Sequence, residues 1–297
     1  MIDWVNIEGF RGIKRSESKI PLTDFTIIVG KNNSGKTSVL ESLYSVYHGS
    51  DKLFGNWHSD VIKNLHSGKK LAYRYSGEGV IELAKDGNGY QQSVNGSVAT
   101  NRNIGDSSDV IYYPPSFKSL NKILSRLQGM RDEIERRGAH IDVAEFINGC
   151  IDDEYTEIYL ETLEMRKKPL DGQQFYVDIN DLGDGVVRAI PVYLLVETLE
   201  PELFLWDDIT TSLHPGLMRN VIEWLAQKDT QFVGATHSID VLSTLIDIQP
   251  DTEVSVIQLT KSGDDVLKHN ALSLEELELM MENAGHDPRF MVDELEL

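Results

Sequence analysis

The stretch "IIVGKNNSGKTSVLESL", Ile27 to Leu43, sets a short apolar run, a loop of small polar residues and an amphipathic helix end to end. Phe25, Ile27, Ile28 and Val29 have the length and residue type of a buried strand, which Gly30 ends. After the loop, Val39, Leu40, Leu43, Val46 and Tyr47 recur at helical spacing, so the loop wraps the start of a helix with one buried face. Glycines at 30 and 35 permit backbone angles and a closeness of approach that side chains block, and consecutive N–H groups then point into a phosphate-sized nest. The spacing G-x-x-x-x-G-K-[ST] gives the backbone from Gly30 through Lys31, Asn32, Asn33, Ser34 and Gly35 the task of cradling phosphates, with Ser38 in the first helical turn. Lys36 reaches the β- and γ-phosphates and the Thr37 hydroxyl ligates Mg²⁺. Between a strand and a helix this is a nucleotide site rather than an ordinary glycine-rich turn.

A chain of 297 residues with 40% hydrophobic content holds one large or two small domains with a substantial core. No apolar run is long enough to span a bilayer and no basic-then-apolar leader opens the chain, so neither membrane insertion nor secretion is expected. Cys150 is the single cysteine, which excludes an internal disulfide framework and a cysteine-rich zinc site and fits a reducing cytoplasm. The net charge of -20 repels a polyanion at long range, so DNA binding requires a local basic face or a partner.

Outward from the loop, "LAYRYS", "GVIELA" and "GYQQSVNG" read as strands, the last two joined by the hairpin signal Asp-Gly-Asn-Gly. Pro114 and Pro115 close "VIYY", and a helical texture takes over from Leu120 to Leu163 as an inserted lobe. Strands resume near Gln173. "LFLWDD", "QFVGATHS" and "EVSVIQLT" are short strands with helices between them, the α/β pattern of a parallel sheet, and "SLEELELMMENAG" is an acidic amphipathic helix. The strand Leu203 to Trp206 delivers Asp207 and Asp208 at its C-terminal end, where parallel α/β sheets bind ligands. Taken alone, two acids there read as a solvated strand end. Beside the phosphate loop, Asp207 reads as the holder of the Mg²⁺ water shell and Asp208 as the group that orients the attacking water.

The order of Gly30 to Thr37, then "DLGDGVVRAI", then "LFLWDDITTSLHP", then "FVGATHS" resembles the ABC-type ATPases of the SMC, RecF and OLD (overcoming lysogenisation defect) group, and "VNIEGFRGIKRSESKIPL" is similar to that group's first strands. The resemblance implies an α/β P-loop NTPase of ABC type, a mixed sheet with an antiparallel β subdomain and an inserted helical lobe. It divides the chain into a nucleotide-binding lobe at 1–116, a helical lobe at 117–170 and the second part of the ATPase core at 171–297. It makes Lys36 and Thr37 Walker A, Asp207 the Walker B aspartate, Asp208 the catalytic carboxylate and His237 the switch histidine on the γ-phosphate. "TTSLHP" matches the D-loop, and Leu182, Gly183, Asp184 and Gly185 match the signature that caps the nucleotide of an opposite subunit.

Two departures shape the expected activity. Asp208 stands where the group carries glutamate, and a carboxylate one methylene short misses in-line water by enough to cost about a hundredfold, so slow hydrolysis is expected. The signature has no serine, which leaves backbone N–H groups around Gly183 and Gly185 to meet the γ-phosphate. Gln91 and Gln92 fall in a hairpin and Gln128 in a helix, so none is assigned to the Q-loop.

His214 reads equally as a D-loop residue or a helix-capping surface histidine, and Arg11 as a nucleotide contact or a solvated loop arginine. Lys118, Lys122, Arg126, Arg131, Arg136 and Arg137 give the helical lobe a basic face, but the interleaved Asp132, Glu133 and Glu135 favour a salt-bridged solvent face. Asp287, Arg289 and Phe290 in "GHDPRF" look like the terminal segment of some OLD-like ATPases. The function expected is an ATP- and Mg²⁺-dependent ATPase that dimerises around ATP and drives or gates a DNA-repair or phage-defence effector on another chain. The alternative is a nucleotide switch that controls a partner toxin or enzyme without touching DNA.

Overall fold

The computed structural model describes residues 1–47, 71–75, 77–95, 98–102, 110–114, 117–168, 173–209, 213–282 and 287–289. Thr210 to Ser212 of the D-loop match, and Phe290, lie outside the described residues. The chain divides into two compact units, the first made of Met1–Tyr113, Pro201–Ile209 and Ala226–Leu297, the second of Pro114–Glu200 and Thr210–Leu225.

The first unit is organised by the apolar runs. β4 (Phe25–Val29), β12 (Leu203–Trp206) and β13 (Gln231–Ala235) are buried at every residue, as strands covered on both faces must be. With β8 (Val110–Tyr113) and β14 (Val254–Lys261) they form a parallel core in the order β14-β4-β13-β12-β8. β15 (Val266–Ser273) folds back antiparallel on β14 and passes the sheet to β2 (Ile13–Ser16). β1 (Ile2–Phe10), β5 (Glu78–Lys85), β6 (Asn88–Asn95) and β7 (Val98–Arg102) continue it as an antiparallel wing, with β3 (Ile20–Pro21) paired to β1. The β5–β6 turn carries Asp86 at φ 50° and Gly87 at φ 76°, two positive values in succession, as the Asp-Gly-Asn-Gly signal requires. "LAYRYS" is a 3₁₀ turn over Tyr73–Tyr75 with one bridge, Ala72 to Phe10, because Arg74 at φ 54° interrupts the extended chain. Helix α1 (Lys36–Val46) follows β4 and buries Val39, Leu40, Leu43 and Val46 as their spacing dictates.

In the second unit, α2 (Phe117–Gly129), α3 (Arg131–Arg137) and α4 (Ala139–Asn148) supply the helical stretch. It stops at Asn148, well short of Leu163. The Asn148 amide clamps both the N–H and the carbonyl of Tyr155, each at 2.8 Å, and starts a three-stranded antiparallel sheet of β9 (Tyr155–Tyr159), β10 (Glu164–Lys167) and β11 (Phe175–Asp178). Tyr155, Ile158 and Met165 are its buried residues, a strand signal that the helix-forming Glu, Leu, Met and Lys of "TLEMRKK" conceal. α5 (Asp184–Leu199) is followed, after β12, by α6 (Pro215–Ala226), and an aromatic cluster joins them to α4. Tyr193 lies 4.7 Å from Phe146 and 4.9 Å from Trp224 between ring centres, and the Trp224 indole N–H donates to Glu197 at 2.7 Å. No described helix is long and apolar enough to cross a membrane.

Candidate nucleotide site

The C-terminal ends of β4, β12 and β13 lie side by side in the parallel core, so the polar residues following each strand meet at one edge of the sheet. At the end of β4, Gly30 has φ +149°, and a Cβ there would stand 2.3 Å from the Leu259 carbonyl oxygen and 2.7 Å from Ser34 Oγ. Only glycine fits. Asn33 at φ 64° and Gly35 at φ 106° turn the chain into α1, whose first residue is Lys36 and whose cap, Gly35, offers no side chain to the first-turn N–H groups. Ser34 Oγ is buried with no hydrogen-bond partner, a polar atom aimed into this loop and short of an acceptor or donor. A glycine cradle, an uncapped helix start and an orphaned hydroxyl together fit a phosphate. The Lys36 ammonium is buried and donates to the carbonyls of Gly30 at 2.8 Å and Lys31 at 3.0 Å. Burial pushes its pKa down to about 8 against the pull of Asp207 and Asp208.

Thr37 Oγ1, one residue on, donates to Asp207 Oδ2 at 2.9 Å. The hydroxyl of Tyr112, on the neighbouring β8, donates to the same oxygen at 3.2 Å, and the Tyr112 ring leans on Tyr44 of α1 with centres 5.6 Å apart. Burial raises the Asp207 carboxyl above its ordinary value, while these two hydrogen bonds and Lys36 oppose the rise. The hydroxyl and carboxylate of Thr37 and Asp207 are hard oxygen donors of the type Mg²⁺ takes.

The backbone holds Asp208 differently. Asp207 N–H donates to the Tyr113 carbonyl and Ile209 N–H to the Ala235 carbonyl, both at 3.0 Å, so Asp208 alone absorbs the change of direction, at φ 62°. Aspartate is among the residues that tolerate that region. At the end of β13, His237 Nδ1 lies 3.4 Å from Lys36 Nζ. Partial burial, and then the adjacent Lys36 ammonium, hold the imidazole below its ordinary pKa against the attraction of Asp208 and Asp207. The structure therefore brings Lys36, Thr37, Asp207, Asp208 and His237 together. Leu182, Gly183, Asp184 and Gly185 belong to the second unit, where Gly183 is the extended N-cap of α5 without a side-chain cap and Gly183 and Asp184 are exposed.

Two family models match the chain. Residues 1–107 match "AAA ATPase domain", and residues 149–243 match "AAA domain, putative AbiEii toxin, Type IV TA system". Among solved structures, an SMC head bound to the C-terminal winged-helix domain of ScpA aligns over 94% of this chain and 99% of its own, with TM-score 0.60 and 17% identity. The Pyrococcus furiosus SMC head, with an extended coiled coil and bound to the C-terminal domain of ScpA, aligns over 95% and 98% with TM-score 0.57 and 14% identity. The Thermotoga maritima SMC head aligns over 92% and 99% with TM-score 0.51 and 15% identity. The chain has the fold of an ABC-type P-loop NTPase, and the two models it matches are both AAA domains. Its reaction is ATP hydrolysis. No curated protein matches its sequence.

Other side chains bear on the open readings. Arg11 is ion-paired with the buried Glu41 of α1, so it is not a freely solvated loop arginine. His214 accepts from Gly216 N–H at 3.3 Å ahead of α6, the capping role. Three arginines of the lobe are met by carboxylates: Arg136 and Arg137 both reach Glu133, Arg137 also reaches Glu200, and Arg131 approaches Glu135 and Glu161. Tyr112 was not singled out in the sequence. Its signal was the strand "VIYY", which reveals a partner only once β8 is known to lie beside β12.

Proposed function

We propose that this ATPase binds ATP with Mg²⁺ through Gly30 to Ser38 and closes on a second copy of itself. The signature residues Leu182 to Gly185 of one copy then cap the nucleotide held by the other. The observation that carries this reading is the division of labour between the units. Lys36, Thr37, Asp207 and His237 converge on one edge of the first unit, whereas the exposed, uncapped helix start at Gly183 and Asp184 belongs to the second. A bound Mg²⁺ would neutralise charge on the transferring phosphoryl group. Thr37 and Asp207 would hold it, Lys36 would bind the β- and γ-phosphates, and His237, near neutral at pH 7, would contact the γ-phosphate. Asp208 would orient the attacking water, slowly because its carboxylate is short.

ATP-driven closure is the output, and we infer that it gates an effector on another chain, in DNA repair or phage defence. The match to a model described by a type IV toxin–antitoxin system supports an effector partner, as does the ScpA domain bound to two of the similar SMC heads. A reading without DNA is favoured by the carboxylate partners of Arg131, Arg136 and Arg137 and by the net charge of -20. In that reading nucleotide occupancy alone controls the partner.

Light scattering tests the closure. Asp208→Asn with ATP and Mg²⁺ is expected to double in mass relative to the nucleotide-free protein, and a mass that ignores nucleotide overturns the sandwich. DNA binding by the Asp208→Asn dimer, falling steeply with salt, would select the first output, and its absence at low salt the second.

A further inference from the structure

The motif "GHDPRF" takes no part in the chemistry above, yet its described residues touch the site. Gln258, fully buried on β14, donates from Nε2 to the Pro288 carbonyl at 2.7 Å, while its Oε1 accepts from Asn270 at 3.1 Å. A buried amide engaged on both sides fixes the turn to the sheet. Within the turn, Asp287 Oδ1 accepts the backbone N–H of Arg289 at 3.0 Å and its Nε at 2.9 Å, and Oδ2 accepts Nη2 at 2.5 Å. That fork sets the plane of the guanidinium. The remaining nitrogen, Nη1, donates to the backbone carbonyl of His237 at 3.1 Å.

The residues beside His237 are already tied. Ser238 N–H donates to Thr236 Oγ1 at 3.0 Å, and Ser238 Oγ caps α7 (Ile239–Ile248) by accepting from Asp240 N–H at 3.1 Å. Thr236 N–H donates to the Ile28 carbonyl at 3.0 Å. The His237 carbonyl is held by Arg289, while the His237 imidazole lies beside Lys36. A guanidinium suits this post because its rigid planar fork meets the carboxylate through two nitrogens and holds the third towards the carbonyl, a geometry that a flexible ammonium does not fix.

We propose that Arg289 is a positioning residue for ATP hydrolysis: anchored by Asp287 and Gln258, it fixes the backbone of His237 so that the imidazole is presented to the γ-phosphate. The inference rests on the reading of His237 as the γ-phosphate contact. It assigns a task to the "DPR" turn, some fifty residues beyond the last motif of the nucleotide site, which no nucleotide chemistry had required.

A double-mutant cycle tests it, with phosphate release, binding of a fluorescent ATP analogue and melting temperature measured on wild type, His237→Ala, Arg289→Ala and the double variant. Arg289→Ala is expected to lower kcat about tenfold through misplacement of the imidazole, with analogue affinity changed by less than about twofold. The double variant is expected to be no slower than His237→Ala alone, and Arg289→Lys to recover part of kcat. Losses that multiply in the double variant overturn the inference, as does an affinity loss matching the kcat loss, which marks a direct phosphate contact. A wild-type rate in Arg289→Ala beside an impaired His237→Ala overturns this inference alone. A wild-type rate in His237→Ala overturns the reading of His237 and this inference with it. Should Arg289→Ala melt early, Asp287→Asn, which keeps the volume of the turn and loosens the guanidinium, carries the same cycle with the same expected outcomes.

Discussion

The nucleotide edge of the first unit and the helical lobe of the second use the same residue types to opposite ends. At the edge, Lys36 and Asp207 are few, buried and displaced in pKa mainly by burial, the lysine down to about 8. In the lobe, Arg131, Arg136, Arg137 and Glu133 are many and largely solvated, and Glu133 is drawn down to about 2 by hydrogen bonds from two arginines. A charge shifted by desolvation gains from any ligand that restores a partner. One shifted by its neighbours is already satisfied and gains little. Perturbed groups therefore cluster at both places, but only the buried set marks chemistry.

The widest gap between the regions is expected on removing one charge from each. Lys36→Ala should abolish Mg²⁺-dependent phosphate release, because Lys36 is the lysine that the loop's spacing directs at the β- and γ-phosphates. Equal activity in wild type and variant would erase the distinction. The next effect is in pH. With free Lys36 titrating near 8, affinity for an ATP analogue should fall about tenfold between pH 7 and pH 9, as the site binds ligand only by regaining a proton. Calorimetry at pH 8.5 in buffers of different ionisation enthalpy should register that proton uptake, and its absence would place the lysine in the ordinary range. Tyr112→Phe removes one donor from Asp207 at a cost of about 1 kcal/mol, so the Mg²⁺ concentration that half-saturates analogue binding should rise about fivefold. Unchanged binding without Mg²⁺ separates this from a general loosening of the site. The smallest effect belongs to the lobe: Arg136→Gln should leave phosphate release unchanged and the midpoint of chemical denaturation indistinguishable from wild type.

The site was legible wherever its residues are neighbours in sequence. Gly30 to Thr37 fold into the loop their spacing describes, and Asp207 and His237 stand at strand ends because "LFLW" and "QFVGA" are too apolar to be anything but buried strands. Contacts made across the sheet were not legible. Arg11 with Glu41, Tyr112 with Asp207, and Arg289 with His237 depend on strand order and on which loops share an edge, and neither is written in local periodicity. The helical reading past Asn148 failed for a related reason. Its strands are held by pairing with one another, which overrides the helical preference of their own residues.

The position of β4 has a consequence for how the protein is made. Phe25 pairs with Phe232 on one side and with Val254 on the other, so the strand that launches the phosphate loop acquires both neighbours only after roughly two hundred further residues have been synthesised. During translation that strand, buried at every residue in the folded protein, leaves the ribosome with no partner in its own sheet core, and the ATP site forms among the last parts of the fold rather than the first. A nascent chain halted before β13 would contain every residue from Gly30 to Thr37 and still have no pocket for a nucleotide to enter.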